Sequence, residues 1–189
     1  MRKIIMLNRI SIDGYFAGPN GESHEWFVTD PKVDKASRKI VGDADTVLFG
    51  RITYQIFENH WPKVASDPKS PKEERTVANE LNEMTKIVFS KTLTGVTWEN
   101  SKLIKGDLVE EVKKLRQEDG SGMLIFGSGT IIQQLTDKRL IDEYLFVLTP
   151  AILGAGKQLF KDVRKLNLKL LDAKSFKSGN VLLHMRLAD

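Results

Sequence analysis

The chain of 189 residues contains no cysteine. This absence excludes disulfide bonds, thiolate metal sites and cysteine nucleophiles, and it gives no sign of an oxidising compartment. Long apolar runs are also absent. The N-terminal segment MRKIIMLNRISIDG holds one short apolar run that Asn8 and Arg9 interrupt, which is too short for a signal peptide or a membrane span and suits a first core strand. We therefore expect a cytoplasmic protein without a membrane partner.

A basic arm is likewise missing. The 29 Lys and Arg residues are mixed with 25 Asp and Glu residues, and the net charge is +4. This pattern gives little support to nucleic-acid binding and agrees equally well with attraction of a phosphorylated small molecule. Metal spacing is missing too, because the three histidines, His24, His60 and His184, lie far apart in the sequence. No repeat or linker divides the chain, so we expect one domain over residues 1–189.

The order of apolar segments predicts the fold class. Strand-like segments alternate with helix-like ones up to about Pro150, and LNLKLLDAKSF, a KSGN turn and VLLHMRL then form a hairpin pattern. Alternating strands and helices predict an α/β fold with a mostly parallel sheet and helices on both faces, and the C-terminal hairpin adds antiparallel edge strands. Residues 61–72 hold three prolines and are expected to form an exposed loop; TWEN and KLIK are expected to be short strands, and Asp107 with Glu110 a capping box.

Three joints follow predicted strands and carry groups that suit phosphate. They are Gly50–Thr53, Ser90–Thr92 and Gly127–Thr130. Ligands collect at the carboxyl ends of parallel strands, and backbone N–H groups at helix starts attract anions. Each joint alone is also consistent with an ordinary turn, an ordinary surface arginine or a solvated lysine. Together they favour a ligand with several phosphates, with a diphosphate over the glycine turns and the 2′-phosphate of NADP near Lys91.

Two nucleotide motifs are incomplete. After Gly127-Ser128-Gly129, Ile132 stands where a dinucleotide fingerprint requires a third glycine. The segment GAGKQ at residues 154–158 is similar to a phosphate-binding P-loop, but it has neither the earlier glycine nor the final Ser or Thr. Neither motif identifies the site.

Longer segments carry a family resemblance. GRITYQIF, KIVFSKTL, LIFGSGTIIQQL and LIDEYLFVLTPAILGAGKQLF together resemble the dihydrofolate reductase-like superfamily. The most similar branch is related to the RibD C-terminal domain, the reductase domain of bifunctional riboflavin-biosynthesis enzymes. The resemblance implies an NADPH-binding, three-layer αβα fold and a homodimer.

The resemblance also implies roles for residues. By this resemblance, Arg51 and Thr53 of the Gly50 joint would bind the cofactor phosphates. Ser90 and Lys91 would bind the adenosine 2′-phosphate, and Asn8 would lie near the nicotinamide. The diphosphate would bind at the Gly-rich turn, which consists of Gly127, Ser128, Gly129 and Thr130. Residues 11–26 resemble a mobile loop that closes over nicotinamide and substrate, with Asp13 and Trp26 lining it.

Three positions bear on the substrate. Riboflavin-pathway reductases have a substrate-contacting glutamate where this chain has Phe126, and an arginine for the ribosyl phosphate where it has Val41. In dihydrofolate reductases the first helix offers a carboxylate to the pterin, and counting back from Gly50 places Asp34 there. A solvated helix charge is the alternative interpretation of Asp34. Candidate proton donors are Asp13, Asp34 or a bound water, and Trp26 and Phe126 are the candidate substrate contacts.

We therefore expect an NADPH-dependent reductase that transfers hydride to a small heterocyclic substrate of the pterin or pyrimidine kind. One alternative is the 5-amino-6-(5-phosphoribosylamino)uracil reductase of riboflavin biosynthesis. The other is an NADPH-binding module without catalytic activity.

Overall fold

The computed structural model describes residues 1–22 and 25–188, so His24 lies outside the described residues. The strands are β1 (Ile4–Ile10), β2 (Tyr15–Ala17), β3 (Ala44–Gly50), β4 (Thr85–Phe89), β5 (Ser101–Ile104), β6 (Gly122–Phe126), β7 (Glu143–Leu148), β8 (Lys157–Gln158), β9 (Leu168–Ser175) and β10 (Val181–Leu187). The helices are α1 (Pro31–Val41), α2 (Arg51–Ser66), α3 (Lys72–Glu83), α4 (Leu108–Leu115) and α5 (Gly129–Asp137).

An eight-stranded sheet forms the middle layer, in the order β5-β4-β3-β6-β1-β7-β10-β9. The strands from β5 to β7 pair in parallel, whereas β10 pairs antiparallel with both β7 and β9. The predicted fold class, a mostly parallel sheet with an antiparallel C-terminal hairpin at its edge, is confirmed. The small β2–β8 pair was not predicted, because strands of three and two residues carry no periodic signal.

Helices cover both faces of the sheet. On one face, α4 and α5 bury Val112 and Leu135 against Met6 and Ile125. On the other face, α1 buries Val33 against the sheet, and α2 and α3 pack over β3 and β4. This is the three-layer arrangement, and it places the starts of α1, α2 and α5 at the carboxyl edge of the parallel strands, where the loops that follow β1, β3 and β6 leave the sheet.

Side-chain caps explain two helix starts. The Asp30 carboxylate accepts the N–H of Lys32 at 2.9 Å and begins α1, with Pro31 as its first residue. The Asp107 carboxylate accepts the N–H of Glu110 at 3.1 Å and begins α4. The Glu110 carboxylate does not complete the expected capping box, because it accepts a hydrogen bond from the Lys113 ammonium at 2.8 Å instead.

Two local expectations were wrong. Helix α2 continues through Pro62 to Ser66, so the loop expected at residues 61–72 is limited to 67–71. Proline removes one backbone N–H bond from a helix, and the packing of Trp61 and the burial of Val64 compensate for that loss. The TWEN segment is not a strand, because the N–H of Trp98 donates to the Tyr54 hydroxyl at 3.0 Å rather than to a neighbouring strand.

Candidate functional site

A groove of about 2370 Å³ runs along the carboxyl edge of the sheet and continues between α1 and the α2–α3 pair. All but two of the residues that the sequence proposed for the site line this groove. They are Asn8, Asp34, Gly50, Arg51, Thr53, Ser90, Lys91, Phe126, Gly127, Ser128, Gly129 and Thr130. The three strand-end joints therefore open into one space, as the topology of parallel strands requires.

Hydroxyl and amide side chains link the joint after β3 to the joint after β6. The Ser128 Oγ accepts the N–H of Gly50, and the Thr53 Oγ1 accepts the N–H of Ser128, both at 2.9 Å. The Asn8 Oδ1 accepts the N–H of Gly127 at 2.9 Å. These bonds hold the N-termini of α2 and α5 in a fixed relation. They also mean that the N–H groups of Gly127 and Ser128 are bound by the protein itself.

The backbone of this joint explains its glycine. Gly127 and Ser128 have φ angles of 51° and 54°, in the left-handed region that favours glycine. A Cβ on Gly127 would lie 3.2 Å from the Thr53 Cγ2. Beyond the joint, the N–H groups of Gly129 and Thr130 begin α5 and find no acceptor within residues 1–22 and 25–188. These two N–H groups are available to an anion.

Phe16 covers one side of the start of α5. A Cβ placed on Gly129 would lie 2.7 Å from the Phe16 Cζ, so the ring rests directly on the glycine backbone. Phe16 belongs to β2, and β2 pairs with β8. The first part of the 11–26 loop is therefore packed on α5, and the access to the Gly-rich turn is narrower than the sequence indicated.

Two cations stand at the strand ends without a carboxylate partner in the described part of the chain. Arg51 is the exposed first residue of α2, and Lys91 is exposed after β4. A cation at a helix N-terminus opposes the helix dipole, so Arg51 is more easily explained by an anionic ligand than by helix stability. The neighbouring Ser90 has a structural function as well, because its Oγ accepts the N–H groups of Thr92 and Leu93 at 3.2 and 3.1 Å.

Asn8 presents a hydrogen-bond donor that the protein does not use. Its side chain is only 6% exposed and lines the groove. The Oδ1 is bound to Gly127, whereas the Nδ2 has no partner among the described residues. Buried polar groups are nearly always hydrogen-bonded. Because the Nδ2 is itself closed to solvent, an acceptor on a ligand at the end of β1 would reach it after a small movement of the surrounding side chains.

Asp34 faces the groove from α1 in an ion pair that the sequence did not predict. The Arg9 Nη2 donates to the Asp34 Oδ1 at 2.7 Å, and the Arg9 guanidinium lies 5.7 Å from the centre of the Phe27 ring. The side chain of Asp34 is half exposed, whereas that of Arg9 is mostly buried. Successive side chains of a strand point to opposite faces of the sheet, so Arg9 lies on the face opposite to Asn8. This alternation was the signal in the sequence for the position of Arg9.

Asp13 lies outside the residues that line the groove. Its carboxylate accepts from the Ser11 hydroxyl at 2.6 Å and from the N–H groups of Gly154 and Leu153 at 2.8 and 3.2 Å. The Ser11 bond lowers the pKa of Asp13 most, slight burial opposes this, and the two backbone bonds lower the pKa further. Asp13 is thus an ionised anchor between two loops, and its geometry does not support the role of proton donor.

Trp26 is the second residue that the structure does not bring to the groove. It lines a separate, smaller cavity of about 350 Å³ that Leu153 also lines. Its ring packs edge-to-face on Phe27 with centroids 4.6 Å apart, and Phe27 does line the groove. Trp26 therefore supports the groove wall through Phe27 rather than facing a ligand there.

The two departures from the riboflavin-pathway pattern both lie on the groove. Phe126 and Val41 line it, and the Phe126 ring lies 5.8 Å from the ring of Phe57. The groove is apolar at both places where a polar contact to a phosphoribosyl group was expected.

Two features are absent from residues 1–22 and 25–188. Within them, no helix has the length and apolar character needed to cross a membrane. Nor do three His, Asp or Glu side chains of that part come together in a way that would hold a metal ion.

Comparison with known proteins agrees with this architecture. The family model described as the RibD C-terminal domain matches residues 2–183. The uncharacterized protein YyaP of Bacillus subtilis (strain 168) is 32% identical over 181 residues, which is 95% of this chain and 92% of YyaP. The crystal structure of a putative riboflavin biosynthesis protein from Shewanella sp. PV-4 is similar with a TM-score of 0.72 and 21% identity over 99% of both chains.

A second solved structure is a diaminohydroxyphosphoribosylaminopyrimidine deaminase/5-amino-6-(5-phosphoribosylamino)uracil reductase from Thermotoga maritima. It is similar with a TM-score of 0.70 and 17% identity, over 99% of this chain and 57% of that one. At these identities the two structures show a shared fold, and the fold expected from the resemblance is confirmed.

Proposed function

The chain belongs to the RibD C-terminal domain family, and from this membership and the groove we propose that it is an NADPH-dependent reductase that transfers hydride to a small heterocyclic acceptor. Family membership supports a reductase-like activity. The observation that carries the choice of cofactor is the hydrogen-bonded corner of Gly50, Thr53 and Ser128. This corner fixes two helix N-termini beside Arg51, whose guanidinium has no carboxylate partner among the described residues. Such a corner suits a diphosphate.

The residues present fit NADPH. The N–H groups of Gly129 and Thr130, with Arg51, would hold the diphosphate, and Lys91 would hold the 2′-phosphate. The unused Nδ2 of buried Asn8 suits the carboxamide oxygen of the nicotinamide. When bound, NADPH supplies the hydride; the chain supplies orientation and the exclusion of water.

Asp34 is the carboxylate that we propose to meet the acceptor. It faces the groove, and the Arg9 bond at 2.7 Å fixes its Oδ1 while the side chain remains half exposed. A fixed carboxylate at this position would bind N–H groups of a heterocycle and orient its reducible bond. A bound water remains the other candidate for delivery of the proton.

The riboflavin-pathway reductase is a second candidate, favoured by the name of the Thermotoga relative. Its substrate carries a ribosyl phosphate, and Phe126 and Val41 offer no polar contact to it. We expect little or no turnover of the aminouracil phosphate substrate. A module without activity would instead bind NADPH and leave it unoxidised across a panel of carbonyl, imine and pterin compounds. A homodimer in the cytoplasm remains our proposal for the assembly and its location.

Binding of NADPH and NADH, followed by quenching of tryptophan fluorescence, tests the cofactor assignment. We expect the wild type to prefer NADPH by about tenfold or more, because Lys91 adds a charged contact to the 2′-phosphate. Lys91→Ala should remove the preference, whereas Lys102→Ala, an exposed lysine outside the groove lining, should keep it. A wild type without preference would refute the 2′-phosphate site, and a preference that survives Lys91→Ala would refute the role of Lys91.

A further inference from the structure

Beyond the strand ends, the groove is lined by a row of aromatic rings. The ring centroids of Phe126 and Phe57 are 5.8 Å apart, and those of Phe57 and Trp61 are 6.0 Å apart. All three side chains are half-buried and line the groove. Ile56, one helix turn before His60, adds an aliphatic rim that is 46% exposed. We call Phe126, Phe57 and Trp61 the aromatic row.

The opposite wall presents one unused polar group. Ser37 lies on α1, one turn after Asp34, and it also lines the groove. The side chain is only 3% exposed, yet its hydroxyl has no hydrogen-bond partner among the described residues. A serine in a helix commonly bonds to a carbonyl of the preceding turn, and leaving a buried hydroxyl unpaired is unfavourable. The oxygen atom is itself closed to solvent, so a ligand reaches the hydroxyl when the Ser37 side chain rotates toward the groove that the residue lines.

The charges of the two walls disfavour a phosphate at this place. Helix α3 contributes four carboxylates to the lining: Glu73, Glu74, Glu80 and Glu83. Helix α1 contributes Lys35, Arg38 and Lys39, together with Asp34. The Arg38 guanidinium is already engaged by Glu80 at 3.3 Å. With Arg9, which pairs with Asp34, these walls hold five carboxylates and four cations, so one carboxylate is in excess and a phosphate between α1 and α3 would meet weak net repulsion.

We propose that the acceptor carries an uncharged, planar aromatic substituent, which lies along the aromatic row and bonds to Ser37 through one polar atom. The groove is continuous with the strand ends where the cofactor is proposed to bind, so a molecule reduced there would extend its substituent into this part. The biological role of the site rests on the proposed function, but occupation of the site can be measured without it.

Two probes of the same shape separate an uncharged occupant from a phosphorylated one. 2-Naphthol and 2-naphthyl phosphate are titrated into the full-length, ¹⁵N-labelled protein, and the indole N–H resonance of Trp61 reports binding at the aromatic row. A phosphate bound near Lys91 is not counted by this readout. We expect saturable binding of 2-naphthol, and binding of 2-naphthyl phosphate about tenfold weaker at this resonance, because α3 repels the anion.

Variants test the two walls. Ile56→Lys should weaken 2-naphthol by about fivefold and strengthen 2-naphthyl phosphate, and Ile152→Lys, at a side chain that is 75% exposed and outside the groove lining, should change neither. Ser37→Ala should weaken 2-naphthol by about threefold to tenfold without lowering the melting temperature, because the hydroxyl has no partner in the described chain.

Each contrary outcome is decisive. Absence of a Trp61 shift with 2-naphthol, or equal binding of 2-naphthyl phosphate, would overturn the proposal, and an unchanged affinity in Ser37→Ala would remove Ser37 from it. A shift of Trp61 with protein concentration alone would assign the row to a second copy of the chain. If NADPH binds and 2-naphthol does not, this inference fails while the proposed function stands. If 2-naphthol binds and NADPH does not, the proposed cofactor is refuted while the binding site at the aromatic row stands.

Discussion

The Ser128 Oγ accepts a hydrogen bond of 2.9 Å from the N–H of Gly50, although 78 positions separate the two residues in the chain. The bond joins the corner after β6 to the corner after the adjacent parallel strand β3. Thr53 completes the link in the other direction, since its Oγ1 accepts from the N–H of Ser128. The distance between the two helix N-termini is thus set by side chains of the site rather than by the sheet alone.

Thr53→Val tests this link. Valine keeps the shape of threonine and removes the acceptor of the buried Ser128 N–H, so we expect the free energy of unfolding to fall by about 1–2 kcal/mol. The Kd of NADPH should rise about tenfold, since the two N-termini lose their fixed relation. Urea denaturation and fluorescence titration measure the two effects. Thr53→Ser keeps the hydroxyl and should behave like the wild type; equal behaviour of the valine and serine variants would refute the link.

Arg51→Gln should make the folded protein more stable and weaken its binding of NADPH. Removing a cation from the N-terminus of α2 should raise the free energy of unfolding by about 0.3–1 kcal/mol. Loss of a charge-assisted phosphate contact should raise the Kd of NADPH by about tenfold. Lys72→Gln is the matched control, because Lys72 is the exposed first residue of α3 and lies outside the groove lining. The control should gain stability and keep its affinity. A destabilised Arg51→Gln with unchanged affinity would contradict the assignment.

The positions of the strand-end joints followed from the sequence because they depend on local signals. Glycine and hydroxyl residues directly after an apolar run mark a strand-to-helix corner, and parallel strands bring such corners to one edge. The contacts that shape the groove depend on residues far apart in the chain. The Arg9–Asp34 pair spans 25 positions and the bond from Leu153 to Asp13 spans 140. Strand alternation indicates the face of the sheet on which Arg9 lies, but no local pattern pairs Arg9 with Asp34 or Leu153 with Asp13.

Packing also overrode local preferences. Pro62 predicted a loop, but helix α2 continues because half-buried Trp61 packs against the core cluster and Val64 is buried. The aromatic row could not be predicted from the sequence either, because Phe57 and Phe126 come into contact only when α2 packs over the sheet. The Ser37 hydroxyl, which has no partner in the described part of the chain, is likewise a property of the folded molecule alone.

A buried lysine of β4, whose ammonium caps the C-terminal end of α3, makes the free energy of unfolding depend on alkaline pH. Lys86 is fully buried, and its Nζ lies 4.6 Å from the centre of the Trp98 ring. The ammonium donates at 2.7 to 2.8 Å to the carbonyls of Leu81, Asn82 and Met84. Burial lowers the pKa of Lys86 to about 8, and Glu99 opposes this shift.

Between pH 8 and 10.5 the unfolded chain therefore retains a proton that the folded chain releases. The free energy of unfolding should rise with pH through this window, by about 1–3 kcal/mol, because the unfolded state binds more protons there. Urea denaturation of the wild type and of Lys86→Met from pH 7.5 to 10 measures it. Both proteins share every other titrating group, so the difference between their curves isolates Lys86. A difference that is constant with pH would show that Lys86 keeps its proton in the folded state.

Asp13→Asn tests whether the anchored carboxylate holds the two loops together. The Ser11 hydroxyl, and then the Gly154 and Leu153 N–H groups, keep the pKa of Asp13 below its usual value in spite of slight burial. A lowered pKa stabilises the contact above the unfolded value, and this contribution is lost as pH falls through the folded value. Hydrogen exchange should therefore show protected Gly154 and Leu153 amides, with constant protection between pH 5 and 7 and a loss of protection below about pH 4. Asp13→Asn should reduce the protection throughout, and Asp119→Asn, an exposed aspartate on another loop, should leave it unchanged. If the amides stay protected in Asp13→Asn, the β2–β8 pair alone holds the two loops together, and the Asp13 carboxylate is not needed for that contact.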